Sequence, residues 1–109
     1  MVESATFDRI LELVREQDVL ISEHGYDEAV RDDILILDLV AGIVAAEIIE
    51  DYPSYHKGPC VLILCRDKAQ DPIHALWGIP KGKTRPAVLI TCYRPAPERW
   101  TDDFKKRKP

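Results

Sequence analysis

The chain has 109 residues, 46% of them hydrophobic and 31% charged, with a formal net charge of −4. That length fits one domain by the usual prior of roughly 100–200 residues, and the apolar fraction excludes wholesale disorder. No run approaches the ~18 apolar residues of a membrane span, and residues 1–7 carry no basic stretch leading into an apolar one, so neither a span nor a secretory signal is expected.

Phe7, Ile10, Leu11 and Val14 recur at helical spacing and predict a helix over residues 6–17, capped by Ser4 or Thr6. Residues 19–22 read as a short strand or extended entry, broken at His24-Gly25. Val30, Ile34, Leu37, Val40 and Ala41 predict one helix over residues 26–41, with Asp27 as N-cap and Gly42 as C-cap. The period then shortens. Residues 43–52 read as a strand, 53–59 as a loop and 60–65 as a continuous apolar strand. Residues 66–72 form a polar turn, 73–79 a strand, 80–86 a basic loop and 87–93 a further strand. Trp100 and Phe104, four apart after two prolines, predict a short amphipathic helix over residues 95–106.

Strands joined by such short loops run antiparallel. The expected fold is α+β: N-terminal helices packed on a four-stranded, mainly antiparallel sheet, with a short C-terminal helix. A single domain over residues 1–109 is expected, its core within about 5–104 and its tail at 105–109 basic.

Charge is divided. Residues 1–57 hold 14 acids and 4 bases, whereas residues 58–109 hold 5 acids and 11 bases. A basic half can meet a polyanion although the chain as a whole is acidic, and the run Lys105-Lys106-Arg107-Lys108 reads as a solvated tail or a phosphate-contacting arm. Cys60, Cys65 and Cys92 are an odd count in strand-like surroundings, which points to buried thiols in a reducing cytoplasm. Cys60 and Cys65 stand five residues apart, about 16 Å within one strand, too far to bridge. His56 and His74 complete no convincing zinc set, so no metal and no cofactor is expected.

The sequence contains no P-loop, GxGxxG, HExxH, EF-hand or GxSxG motif. The three histidines can therefore be weighed singly. His56 lies in a polar loop, His24 just before the second helix, and His74 within a strand. Two imidazoles can cleave RNA without metal, one taking the 2′-hydroxyl proton and the other protonating the leaving oxygen. A cation then stabilises the charged phosphorane. His24 and His74 are the candidate acid–base pair, with Tyr93 beside them. Lys81, Lys83, Arg85 and Arg94 are the candidate cations, and Thr91 and Tyr93 alternate onto one strand face where they could bond phosphate. Trp77, Trp100, Tyr26 and Tyr55 could stack bases, although the two tryptophans are expected in the core.

Certain landmarks occur in a distinctive order: Ser22-Glu23-His24, the stretch 33–42 ending in Gly42, Glu50-Asp51-Tyr52-Pro53, the apolar strand 60–65, Pro72-Ile73-His74, Thr91-Cys92-Tyr93-Arg94-Pro95, and Trp100. This order resembles that of the bacterial domain of unknown function 4258 family, over residues 19–108. Gly25 follows the first histidine where that family commonly has alanine, and the next helix is acidic. The family is similar to RelE-like and BrnT-like toxins with a RelE/barnase-like ribonuclease fold. The resemblance implies a metal-independent endoribonuclease, the toxin of a type II toxin–antitoxin pair, cutting RNA through a 2′,3′-cyclic phosphate. RNA and a small antitoxin would then be its partners, and His24, His74, Thr91 and Tyr93 match the family pattern. The rival reading is a non-catalytic interaction domain, a homodimer or partner-binding module, whose acidic helix and basic tail are association surfaces.

Overall fold

The computed structural model describes residues 3–109; Met1 and Val2, which begin the segment read above for a signal, lie outside the described residues. The elements in order are α1 (Ala5–Arg15), β1 (Val19–Ile21), α2 (Glu23–Arg31), α3 (Ile36–Gly42), a single 3₁₀ turn (Ile43–Ala45), β2 (Glu47–Tyr52), β3 (Cys60–Arg66), β4 (Pro72–Gly78) and β5 (Ala87–Tyr93).

The four-stranded sheet expected from the sequence is five-stranded and mixed, in the order β1-β5-β4-β3-β2. Strands β2 to β5 form the expected antiparallel meander, and β1 adds itself parallel to β5, with Val19 opposite Ala87 and Ile21 opposite Leu89. A three-residue strand shows too little alternation to announce its partner.

One face of the sheet meets the helices. Val61, Ile63 and Cys65 of β3, Ile73, Ala75 and Trp77 of β4, and Ala87, Leu89 and Cys92 of β5 pack on Phe7, Ile10 and Leu13 of α1, Ala29 of α2 and Leu39 of α3. Helix α1 follows its apolar stripe, and Ser4 caps it by accepting from the Phe7 amide at 3.1 Å.

The single long second helix is instead two. Ser22, not Asp27, is the N-cap, its hydroxyl oxygen accepting from the Gly25 amide. The break after Arg31 comes from Asp33, whose φ of +56° ends α2 in a left-handed cap. The Ile34 amide then bonds the Ala29 carbonyl and the Asp33 amide bonds the Val30 carbonyl, the paired bonds of a Schellman motif. Glycine usually fills that position, so an aspartate hid the break.

Gly25 sets the seat of α2. A Cβ there would stand 2.8 Å from the Leu89 carbonyl oxygen and 3.0 Å from Ser22 Oγ, so only glycine lets the helix lie this close to β5.

The expected C-terminal helix does not form. Residues 99–108 make a tight hairpin, a strap, in which the Lys108 amide bonds the Arg99 carbonyl and the Thr101 amide bonds the Lys106 carbonyl. Asp103 Oδ1 accepts from the Thr101 hydroxyl at 2.6 Å and from the Lys105 amide at 3.0 Å. Side chains that bond nearby backbone in this way compete with helix formation.

Candidate functional site

The other face of the sheet carries residues in cross-strand rows. Tyr93, His74, Leu64 and Glu47 form one row, and Thr91, Leu76, Leu62 and Glu50 the next. A third row crosses all five strands as Leu20, Val88, Gly78, Cys60 and Tyr52. The strap lies over the first row. Lys105 pairs with Glu47, and Arg107 makes two bonds to the Glu50 carboxylate, at 3.1 and 3.2 Å.

Beneath the strap, His74 is 0% exposed. Its Nε2 donates to the Phe104 carbonyl at 2.8 Å, and its Nδ1 lies 3.2 Å from the Tyr93 hydroxyl. A carbonyl can only accept, so Nε2 carries the hydrogen and neutral Nδ1 accepts from the phenol. Trp100 packs edge-on against the ring, with centroids 4.3 Å apart, and Arg107 sits over Trp100. Burial holds the His74 pKa below its ordinary value, outweighing the opposing pull of the Phe104 carbonyl. Burial likewise pushes the Tyr93 phenol up. Both nitrogens of this neutral imidazole are thus engaged, one by the strap and one by the phenol.

The sequence-derived site is only partly brought together. The candidates His74 and Tyr93 meet, and Thr91 is in the adjoining row. His24 does not join them. It stands on the first turn of α2 with its side chain 68% exposed, and Glu28 faces it at 4.0 Å. Lys81, Lys83 and Arg85 lie past Gly78, which is four residues, or about 13 Å along β4, from His74. Arg85 pairs with Asp18 at 2.9 Å and with Glu16 at 3.4 Å, tying its loop to the end of α1. Arg94 is committed to structure. Its guanidinium pairs with Asp67 at 2.8 Å and donates to the Asp33 carbonyl at the end of α2, while its amide donates to the Asp32 carboxylate. A cation at a helix C-terminus is also favoured by the helix dipole.

Sequence reasoning missed Glu50, Arg107 and the Phe104 carbonyl. The opposite charges of Glu50 and Arg107 were visible, but a backbone carbonyl leaves no signal in a sequence. Trp77 is buried in the core as expected, Trp100 is buried instead with the strap on the other face, and Tyr26 and Tyr55 are exposed. The three thiols are buried and free, and burial pushes Cys65 and Cys92 up to about 11. Among the described residues no group of three or more His, Cys, Asp or Glu could hold a metal ion, and no helix is long and apolar enough to cross a membrane.

A mixed sheet with helices on one face and a strap on the other defines an α+β domain with a buried, doubly bonded histidine. The model of the "Domain of unknown function (DUF4258)" family matches residues 21–94, and the chain belongs to that family. An ATP-dependent zinc metalloprotease FtsH of Pelodictyon phaeoclathratiforme (strain DSM 5477 / BU-1) is similar, 30% identical over 87 residues, which is 80% of this chain. The match spans 12% of that relative's length. No solved structure matches the chain.

Proposed function

We infer that the chain is a protein-interaction domain that offers the outer faces of α2, α3 and the 3₁₀ turn to a partner polypeptide. One observation carries this reading: large apolar side chains stand in solvent at helical spacing. Tyr26 and Val30 lie four apart on α2, and Leu37 and Val44 seven apart across α3 and the turn, each more than half exposed. Leu37 reaches 81%. Large apolar side chains exposed along a helix in this way mark association surfaces. Asp27, Asp33 and Asp38 lie among them, so the fitting partner has an apolar surface with a basic rim.

The similarity to a much longer ATP-dependent protease supports recognition over chemistry. The similar stretch is a small part of that protein, and this chain carries no HExxH zinc motif of its own. RNA cleavage finds less support in the geometry, because His24 and His74 lie on separate surfaces and both His74 nitrogens are engaged. The test is affinity capture with wild type and with Leu37→Glu/Val44→Glu, read together with light scattering. A partner held by the wild type and released by the folded variant supports the reading. A chain that stays monomeric and captures the same proteins with either version defeats it.

A further inference from the structure

The row Leu20–Val88–Gly78–Cys60–Tyr52 is the part of the outer face that the strap leaves open. At its centre Gly78 lets its neighbours close in: a Cβ there would stand 2.8 Å from Ile90 Cδ1, 3.1 Å from the Pro59 carbonyl oxygen and 3.2 Å from Cys60 Cβ. Around it lies a pocket of about 490 Å³, within the roughly 300–1,000 Å³ range of small-molecule sites. Leu76, Val88 and Ile90 line its floor, and Tyr52 and Tyr55 stand at its wall.

The charge at this pocket has one sign. Lys57 is the charged residue among the lining groups, and it forms no ion pair with any described residue. The Lys81 amide donates to the Lys57 carbonyl at 3.2 Å, which brings to the same rim a second exposed lysine that pairs with no acid among the described residues. Of the two acids just before Tyr52, Asp51 accepts from the Ser4 hydroxyl at 3.0 Å, and Glu50 accepts from the Tyr52 hydroxyl at 2.6 Å and pairs with Arg107. Gly58 holds this rim in place. Its φ is +123°, and a Cβ there would stand 2.2 Å from the Ile79 carbonyl oxygen, so the Lys57 loop lies directly against the chain leaving β4.

We propose that this pocket binds a small amphiphilic anion, an aromatic or branched aliphatic carboxylate. Its apolar body seats on Leu76, Val88 and Ile90, and its carboxylate meets Lys57. The site lies across the sheet from the helices and is independent of the partner surface proposed above.

The test uses the full chain and 3-phenylpropanoate, with 3-phenylpropan-1-ol as the uncharged control, followed by amide NMR shifts. A saturable shift at Gly58 and Gly78 is expected, about fivefold weaker for the alcohol and about fivefold weaker for the acid on Lys57→Gln. Lys57→Gln changes an exposed side chain, and a melting temperature equal to that of the wild type is the check that it folds. Gly78→Val, if folded, pushes Ile90 into the pocket and abolishes both shifts. Absence of a saturable shift overturns the site. Equal affinity for acid and alcohol reduces it to an apolar crevice and overturns the anion assignment. A peptide ending in phenylalanine that binds at least about tenfold tighter than both the free acid and its own amidated form assigns the pocket to a polypeptide carboxyl terminus and overturns the small-molecule reading.

Discussion

The Phe104 carbonyl accepts a 2.8 Å hydrogen bond from His74 Nε2, joining the strap to a strand thirty residues earlier in the chain. Phe104 itself has a φ of +60°, a left-handed conformation that non-glycine residues adopt only when their surroundings enforce it. The hairpin bonds on either side, the buried Trp100 and the histidine below supply that enforcement.

This bond makes stability depend on pH. Burial holds the folded His74 pKa below its ordinary 6.5, so the unfolded chain takes up the proton first as pH falls. The contribution of neutral His74 is complete above about pH 6.5 and is lost as pH falls through that value towards the folded pKa. Glu50, held low chiefly by Arg107, loses its contribution only below the ordinary carboxylate range and does not obscure this window. The melting temperature of the wild type is expected to fall between pH 7 and pH 5, and that of His74→Gln to fall less steeply. Parallel curves for the two proteins would refute the assignment.

The strap is held by burial more than by charge. Trp100→Ala removes a nearly fully buried ring and is expected to cost about 3–5 kcal/mol. Arg107→Ala removes a largely exposed pair with Glu50 and a contact with the indole, and is expected to cost only about 1 kcal/mol. Urea denaturation of both variants measures the two values, and equal losses would mean that the ion pair dominates.

Gly25→Ala tests the seat of α2. The added methyl meets backbone oxygens, which cannot swing aside, so a loss of about 1–3 kcal/mol is expected. Chemical denaturation at neutral pH checks it. A neutral or stabilising result would show that α2 can lift from β5 at no cost.

The thiols should be silent in the folded protein. With Cys65 and Cys92 pushed up to about 11 and all three side chains buried, a disulfide reagent at pH 8 is expected to react far more slowly with native than with unfolded chain. Rapid native labelling would indicate frequent local opening of the sheet.

Single-stranded RNA incubated with the chain in EDTA is expected to stay intact. Cleavage leaving 2′,3′-cyclic phosphate ends, and lost in both His24→Ala and His74→Ala, would restore the acid–base pair and displace the interaction reading.

Elements with long, regular patterns were legible in the sequence: α1 through its stripe of Phe7, Ile10 and Val14, and β3, β4 and β5 through apolar runs between turns. What stayed hidden was set by single residues acting against type. Asp33 took a left-handed cap that glycine usually fills, and Asp103 bonded its own neighbourhood and replaced a helix with a hairpin. The partner of β1 was hidden for a different reason, since pairing across 68 residues leaves no local trace. Strand alternation put Thr91 and Tyr93 on one face but left open which way His74 points. It could not reveal that His74's second partner is a backbone carbonyl, which fastens the strap to β4.

The parallel pairing of β1 with β5 has a mechanical side. The chain enters β1 at Val19 and leaves β5 at Tyr93, and the two strands point the same way. Tension between the flanking segments therefore drags the strands in opposite directions along their length. Their bonds are loaded together, in shear, and cannot be unzipped one at a time as at an antiparallel edge. A motor pulling from either flank would meet its resistance there, after the strap or α1 had peeled away.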